Sequence, residues 1–200
     1  MRLSENFALQ EFLRSQTAQR QGGEMLSQQM NPDHNIVENL QYLVTKALQP
    51  LRTLLRTPFQ ITSGYRCQEL NTRIGGSSNS QHCFGQAADV IMFDNFVNEP
   101  NPVFQRIKKI IDHKILKKIG RLPQNHANAN FYLFATACFF INETDIDQVI
   151  HEYGQPGQPA WVHISSSPKR NKREIVIIPK PQDFAHNRLS LEEALMMGCD

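Results

Sequence analysis

SNSQHCFGQAADV (residues 78–90) joins a polar turn to a run of small and apolar residues. The continuous apolar pattern from Ala87 to Met92 predicts a buried strand, and Gly85 permits a tight reversal of the chain just before it. The segment also sets His82 and Asp89 seven positions apart. Taken alone, this spacing favours a loop histidine and a strand-capping aspartate over half of a zinc site. A carboxylate in an apolar strand nevertheless needs a partner.

The rest of the chain predicts an α+β fold. Apolar residues recur at helical spacing from about residue 33 to 51 and from 101 to 118. Residues 15–32 are rich in Gln, Ser and Gly and predict a loop, whereas 131–140 fits either a helix or a strand. Alternating and apolar runs predict strands at 59–62, 147–153, 161–165 and 174–178. We therefore expect a single domain over residues 1–200, with a mainly antiparallel sheet flanked by helices.

Composition narrows the class of protein. A chain of 200 residues with 40% hydrophobic content can bury the core of one globular domain. The formal net charge of +2 does not require a nucleic-acid partner, and four cysteines without CxxC spacing predict reduced thiols. The N-terminus lacks the apolar run of a Sec signal, and the most apolar stretch, 131–141, covers about half a bilayer. We expect a monomer, made in the cytoplasm and without stable membrane insertion.

Three further residues can contribute to hydrolytic chemistry. Catalytic zinc takes three nitrogen or oxygen ligands from the protein and keeps one position for water. His163, in AWVHIS, faces away from its apolar neighbours and is a third candidate ligand, with a satisfied core histidine as the alternative. Glu152 is the best candidate for the general base, because a hairpin through residues 155–160 would bring it near His163. Asp147 is the reserve candidate, and a surface carboxylate is the alternative interpretation of Glu152.

A cation follows the first predicted strand in the segment Ser63-Gly64-Tyr65-Arg66. A guanidinium at this point can hold a substrate carboxylate in a bidentate pair or stabilise an oxyanion. Arg66 can equally be a surface residue at the end of a strand. The segment alone does not decide between these roles.

Five motifs occur in order along the chain: SGYR at 63–66, LN at 70–71, GG at 75–76, SxHxxGxAxD at 80–89 and WVH at 161–163. Together they resemble the zinc D-Ala-D-Ala carboxypeptidases and their relatives, the D-Ala-D-Ala dipeptidases and the phage L-Ala-D-Glu endopeptidases. LSENFALQEF at the start and ALQPLR before the first strand are similar to the smaller phage and bacterial branch. The resemblance covers about residues 3–166.

The resemblance implies a fold, a site and a reaction. The fold is a small α+β domain with an antiparallel sheet, akin to the zinc domain of hedgehog signalling proteins. Zn²⁺ is implied as the cofactor and peptidoglycan stem peptide as the substrate, with amide hydrolysis as the reaction. The implied metal ligands are His82, Asp89 and His163, while Arg66 binds or polarises the substrate and Ser80 lines the site.

The sequence departs from the family pattern at two places. Many members carry the catalytic acid three residues before the last histidine, where this chain has Ala160. This chain resembles the smaller branch in a DQ-I-E pattern, formed by Asp147-Gln148, Ile150 and Glu152. The resemblance supports Glu152 as the base. Residues 112–146 are longer than the family usually needs and predict an insertion, and 167–200 predicts a C-terminal extension.

Two classes of function fit these observations. The first is a zinc metallopeptidase that acts on the cell wall, as either a carboxypeptidase or an endopeptidase. The second is a non-catalytic zinc domain that binds cell-wall peptide or a protein partner. The absence of a Sec signal agrees with a phage-type lysin that is released by lysis or carried in a virion. The intact set of Arg66, Ser80 and Glu152 favours the enzyme.

Overall fold

A computed structural model describes residues 1–92, 102–180 and 187–200. A π-helical turn, Val44–Leu48, joins two of its helices, and a 3-10 helix, Gln81–Phe84, precedes the second strand. The α-helices are α1 Leu9–Leu13, α2 Gln16–Gln21, α3 Gly23–Met30, α4 His34–Leu43, α5 Gln49–Leu55, α6 Gln68–Arg73, α7 Pro102–Ile119, α8 Ala129–Phe139 and α9 Leu191–Met196.

The strands form one six-stranded sheet with the order β1-β2-β4-β3-β5-β6. They are β1 Gln60–Ser63, β2 Ala87–Ile91, β3 Gln148–Gln155, β4 Gln158–Ser165, β5 Glu174–Ile178 and β6 Asn187–Leu189. All neighbours pair antiparallel except β3 and β5, which pair parallel. The predicted α+β class with a mainly antiparallel sheet is confirmed.

The predicted loop at residues 15–32 is wrong, because this segment forms α2 and α3. The Ser15 side chain caps α2 by accepting from the amide of Ala18. Ala18 and Met25 are then buried in a small cluster with Cys67 and Leu70. The polar composition of this segment concealed both helices. Each helix is held against the rest of the protein by only a few buried side chains, so the segment shows no strong apolar pattern.

Helix α8 resolves the ambiguous stretch near residue 131. Asn128 caps it by accepting from the amide of Phe131, and ten of its eleven residues are buried. It packs on β3 and β4 and also contacts α5, α7 and α9. A helix enclosed in this way has no polar face, so its sequence lacks helical periodicity.

The predicted extension 167–200 supplies β5, β6 and α9, and the predicted insertion 112–146 contains α8. How these segments divide from a family core stays a prediction. The four cysteines form no disulfide. Over the described residues, no helix combines the length and the apolar character that crossing a membrane requires.

One face of the sheet packs against α8, and the other is open. Because side chains alternate along a strand, Val149 and His151 of β3 are buried toward the core, while Ile150 and Glu152 line a cleft on the open face. This open face holds the candidate site.

Candidate metal centre

Strand pairing brings the two predicted halves of the site together. Asp89 in the middle of β2 lies directly opposite His163 in β4, so both side chains project from the same face of the sheet. His82 comes from the 3-10 helix just before β2. Gly85 ends that helix with φ of 66°, in the left-handed region, and turns the chain into the strand.

The three side chains converge on one point. Asp89 Oδ1 lies 3.2 Å from His82 Nε2 and 3.0 Å from His163 Nδ1, and the two nitrogens are 3.2 Å apart. Zinc with bonds of about 2.0–2.1 Å in a tetrahedron separates its ligand atoms by roughly 3.3 Å. The triangle of donor atoms therefore has the size that a tetrahedral ion requires. Among the described residues it is the one His/Cys/Asp/Glu group that could hold a metal.

The backbone fixes the tautomer of His82. Its Nδ1 lies 2.7 Å from the carbonyl oxygen of Gly64, so Nδ1 carries the proton and donates it. In the neutral ring, Nε2 then presents a lone pair to the carboxylate oxygen of Asp89. Two acceptors at this distance need a proton or a metal cation between them. The residues present therefore fit a metal ion, and the Gly64 carbonyl is the outer partner that orients His82 as a candidate ligand.

Arg66 holds the other oxygen of Asp89. Its Nη2 donates to Asp89 Oδ2 at 2.7 Å, and its Nε donates to Ser63 Oγ at 2.9 Å. Burial by itself would raise the pKa of Asp89, but His82 and His163 outweigh it and hold the pKa well below the ordinary range. The carboxylate is thus ionised and ready to ligate. The predicted contact of Arg66 with substrate stays a prediction, since in this structure its guanidinium binds Asp89.

Glu152 lies beside the triangle on the open face. In the β3–β4 hairpin, Ile150 is opposite His163 and Glu152 is opposite Trp161, which places the carboxylate one step along the same face. The connecting turn is only Pro156-Gly157, tighter than the predicted loop. Burial raises the pKa of Glu152, and the negative charge of Asp89 raises it further. A raised pKa suits a carboxylate that must accept and then return a proton.

Asp147, the reserve candidate for the base, is fully buried and has other partners. It accepts from Gln81 Nε2 at 2.9 Å, from the amide of Lys172 at 2.6 Å and from Arg170 Nε at 2.9 Å. These contacts connect the 3-10 helix to the segment before β5. They favour a positioning role for Asp147 and leave Glu152 as the better candidate for the base.

The site opens into a cleft of about 710 Å³ on the sheet face. Ser80, half-buried at the start of the 3-10 helix, lines this cleft, and its contact with substrate stays a prediction. Tyr153 and Trp161 form part of the wall, with their rings edge-on at 4.8 Å. The cleft is long enough to run from the metal centre to the far edge of the sheet.

Sequence reasoning missed a buried residue that positions this site. Gln29 on α3 donates to the carbonyl oxygens of Leu13 and Tyr65 and accepts from the amide of Cys67. It therefore clamps the backbone on both sides of Arg66. No local signal marks Gln29, because a glutamine in a polar stretch gives no indication of burial.

The model of the family described as Peptidase M15 matches residues 5–126, more than half of the chain. The chain belongs to the Peptidase M15 family. The match includes His82, Asp89 and Arg66, whereas His163 and Glu152 lie beyond its end. No curated protein matches this chain. Members of this family are peptidases that typically depend on a metal. In this M15 peptidase, the His/Asp/His group is where a metal fits.

Proposed function

We propose that this M15 peptidase is a zinc-dependent hydrolase of amide bonds in peptidoglycan stem peptides. The observation that carries the proposal is the triangle of His82 Nε2, Asp89 Oδ1 and His163 Nδ1 at the floor of an open cleft. Two imidazole nitrogens and one carboxylate oxygen are a ligand set that catalytic zinc uses, with the remaining position open. When bound, zinc supplies a Lewis acid and lowers the pKa of water at the site.

The chain's own residues then perform the proton transfers. Glu152 accepts the proton of the attacking water and returns it to the leaving amine, because its raised pKa lets it serve as base and then as acid. Arg66 keeps Asp89 oriented by holding its second oxygen. The Gly64 carbonyl keeps the proton of His82 on Nδ1, so that Nε2 remains available to ligate.

Glu152 also favours the hypothesis of an enzyme over that of a non-catalytic zinc domain. A domain that only binds peptide needs no base next to its metal ligands. The acid that many relatives carry at the position of Ala160 has no counterpart here, and on this regular strand Ala160 faces away from His163. The carboxylate of Glu152, on the neighbouring strand, lies on the correct face.

The substrate and the place of action follow from the family resemblance and the form of the cleft. A long open cleft suits an extended peptide, and peptidoglycan stem peptide is the substrate implied by the five motifs. We place the activity on the cell wall, after release by lysis or delivery in a virion.

Mass spectrometry of purified muropeptides, digested with and without added zinc, tests the function. We expect zinc-dependent loss of a terminal alanine or release of an internal fragment, either of which identifies the bond. The His82→Ala variant is the matched control and should leave all muropeptides unchanged. If the zinc-loaded protein also changes no muropeptide, the proposed function is wrong.

A further inference from the structure

The cleft extends beyond the metal centre along a single row of paired residues. His163 on β4 is opposite Ile150 on β3, Ile150 pairs with Val176 on β5, and Val176 pairs with Arg188 on β6. Directly paired residues project from the same face of a sheet. With three steps between strands of about 4.8 Å each, Arg188 lies about 14 Å from His163 at the level of the backbone.

The far end of this row is basic. Lys172 and Arg188 line the cleft there, and Arg170 lines it beside Asp147, closer to the 3-10 helix; the three side chains are between 42% and 70% exposed. Two of them come from the run Lys169-Arg170-Asn171-Lys172-Arg173, which the chemistry of the metal centre does not use. All three lie outside residues 5–126, the part of the chain that matches the family model.

Two carboxylates hold these cations in place without neutralising them all. Arg170 Nε donates to the buried Asp147 at 2.9 Å. Arg188 Nη2 donates to Glu174 at 2.6 Å, and Lys172 Nζ lies 3.7 Å from the same carboxylate. Three cations thus face two acids, and over the described residues the remaining guanidinium N–H groups of Arg170 and Arg188 have no protein acceptor. A fixed cation with spare donors is suited to bind a carboxylate.

We propose that Lys172 and Arg188, which share the Glu174 carboxylate, form a subsite for a carboxylate of the peptide substrate, with Arg188 about 14 Å from His163 at the level of the backbone. An extended peptide spans this distance with about four residues. The inference rests on the proposed function and adds a specificity determinant to it.

The subsite also indicates which kind of bond is cleaved. Removal of a terminal residue requires a cation for the terminal carboxylate next to the metal. Arg66 contacts the triangle through Asp89, and its guanidinium is bonded to Asp89 and Ser63. A second cleft, lined by Arg14 and Thr62, meets the first at Arg66 and Ile74, so space continues on the other side of the site as well. The position of the subsite and the space on both sides of the triangle favour internal cleavage of an extended peptide.

The test measures binding, so it does not depend on turnover. Cross-linked muropeptides are prepared in the free-acid form and with their carboxyl groups amidated. Both forms are titrated by calorimetry into the zinc-loaded full chain carrying Glu152→Gln, which keeps the ligand intact. We expect the free acid to bind about tenfold more tightly, and Lys172→Gln/Arg188→Gln to reduce this preference to less than about twofold.

The control is Lys117→Gln/Lys118→Gln, which removes the same charge from the end of α7 and should preserve the preference. Arg170 is left intact because it anchors the buried Asp147. If the subsite variant keeps the preference, or if the free acid is not preferred at all, the subsite is overturned while the proposed function stands. If neither form binds the protein with intact Lys172 and Arg188, the proposed function falls and the subsite falls with it.

Discussion

Glu152 and Asp89 are two carboxylates on the same face of the sheet with opposite pKa shifts. Burial and the charge of Asp89 raise the pKa of Glu152, whereas His82 and His163 hold that of Asp89 low. Such a divergence separates a proton-transfer group from a permanently ionised ligand. We expect Glu152→Gln to retain zinc and lose turnover by about 10²- to 10⁴-fold, measured by metal analysis and muropeptide hydrolysis. Undiminished turnover would exclude Glu152 as the base.

Measuring zinc affinity can show whether Arg66 supports the metal site or binds the substrate. Its guanidinium holds the Asp89 oxygen that points away from the two histidines. Loss of such an outer partner typically weakens metal binding 10- to 100-fold. We expect Arg66→Gln to lose zinc affinity by this factor, measured in competition with a chelator. Arg14→Gln, on the second cleft, is the control and should keep its zinc affinity. Unchanged zinc affinity with a raised KM would instead assign Arg66 to the substrate, as the family resemblance implies.

At the level of elements, the contact between α1 and the end of β1 positions the metal centre. Gly64 lies there with its α-carbon against α1, and a Cβ at this position would meet the Phe12 backbone at 2.6 Å. The carbonyl of the same residue orients His82. We expect Gly64→Ala to lower the free energy of unfolding by about 1–3 kcal/mol and also to weaken zinc binding.

The control for this contact is Gly75→Ala, on the rim of the cleft, where an added Cβ meets nothing within 4 Å but φ is 74°. That variant should lose stability through backbone strain alone and keep its zinc affinity, as chelator competition would measure. Equal zinc affinity in both variants would show that the Gly64 carbonyl does not control His82.

The stability of the whole molecule should depend on His151, which lies on the core face of β3. It is fully buried against the ring of Phe134, and neither ring nitrogen has a hydrogen-bond partner among the described residues. Burial lowers its pKa from 6.5 to about 4. The unfolded chain therefore takes up a proton before the native protein does. The contribution to stability is complete above the unfolded pKa, and roughly 3 kcal/mol is lost as the pH falls to the folded value.

Denaturant unfolding of the wild type and of His151→Phe, between pH 7 and pH 4, measures this contribution. The aromatic replacement keeps a ring against Phe134 but cannot titrate, so its stability should fall less steeply over this range. The difference between the two curves isolates His151, because every other titratable group is common to both proteins. Parallel curves would contradict the prediction.

Most strands and the longer helices were predictable, because periodicity and capping residues act within a few positions. Ser190, for example, stands directly before LEEALMM and caps α9 by accepting from the amide of Glu193. The helices α2 and α3 were not predictable, since their stability comes from packing against Cys67 and Leu70, which are distant in sequence. For the same reason Gln29 gave no signal.

The ordered motifs of the sequence identified the candidate ligands and the candidate base, because each motif depends on residues only a few positions apart. Tertiary structure decided that Asp89 and His163, separated by 74 positions, share one face, because strand pairing is set by contacts across the whole fold. It also decided that Arg66 binds Asp89 and that Lys172 and Arg188 stand along the same cleft. A sequence pattern specifies the chemistry of a side chain, whereas only the register of the sheet specifies which side chains meet.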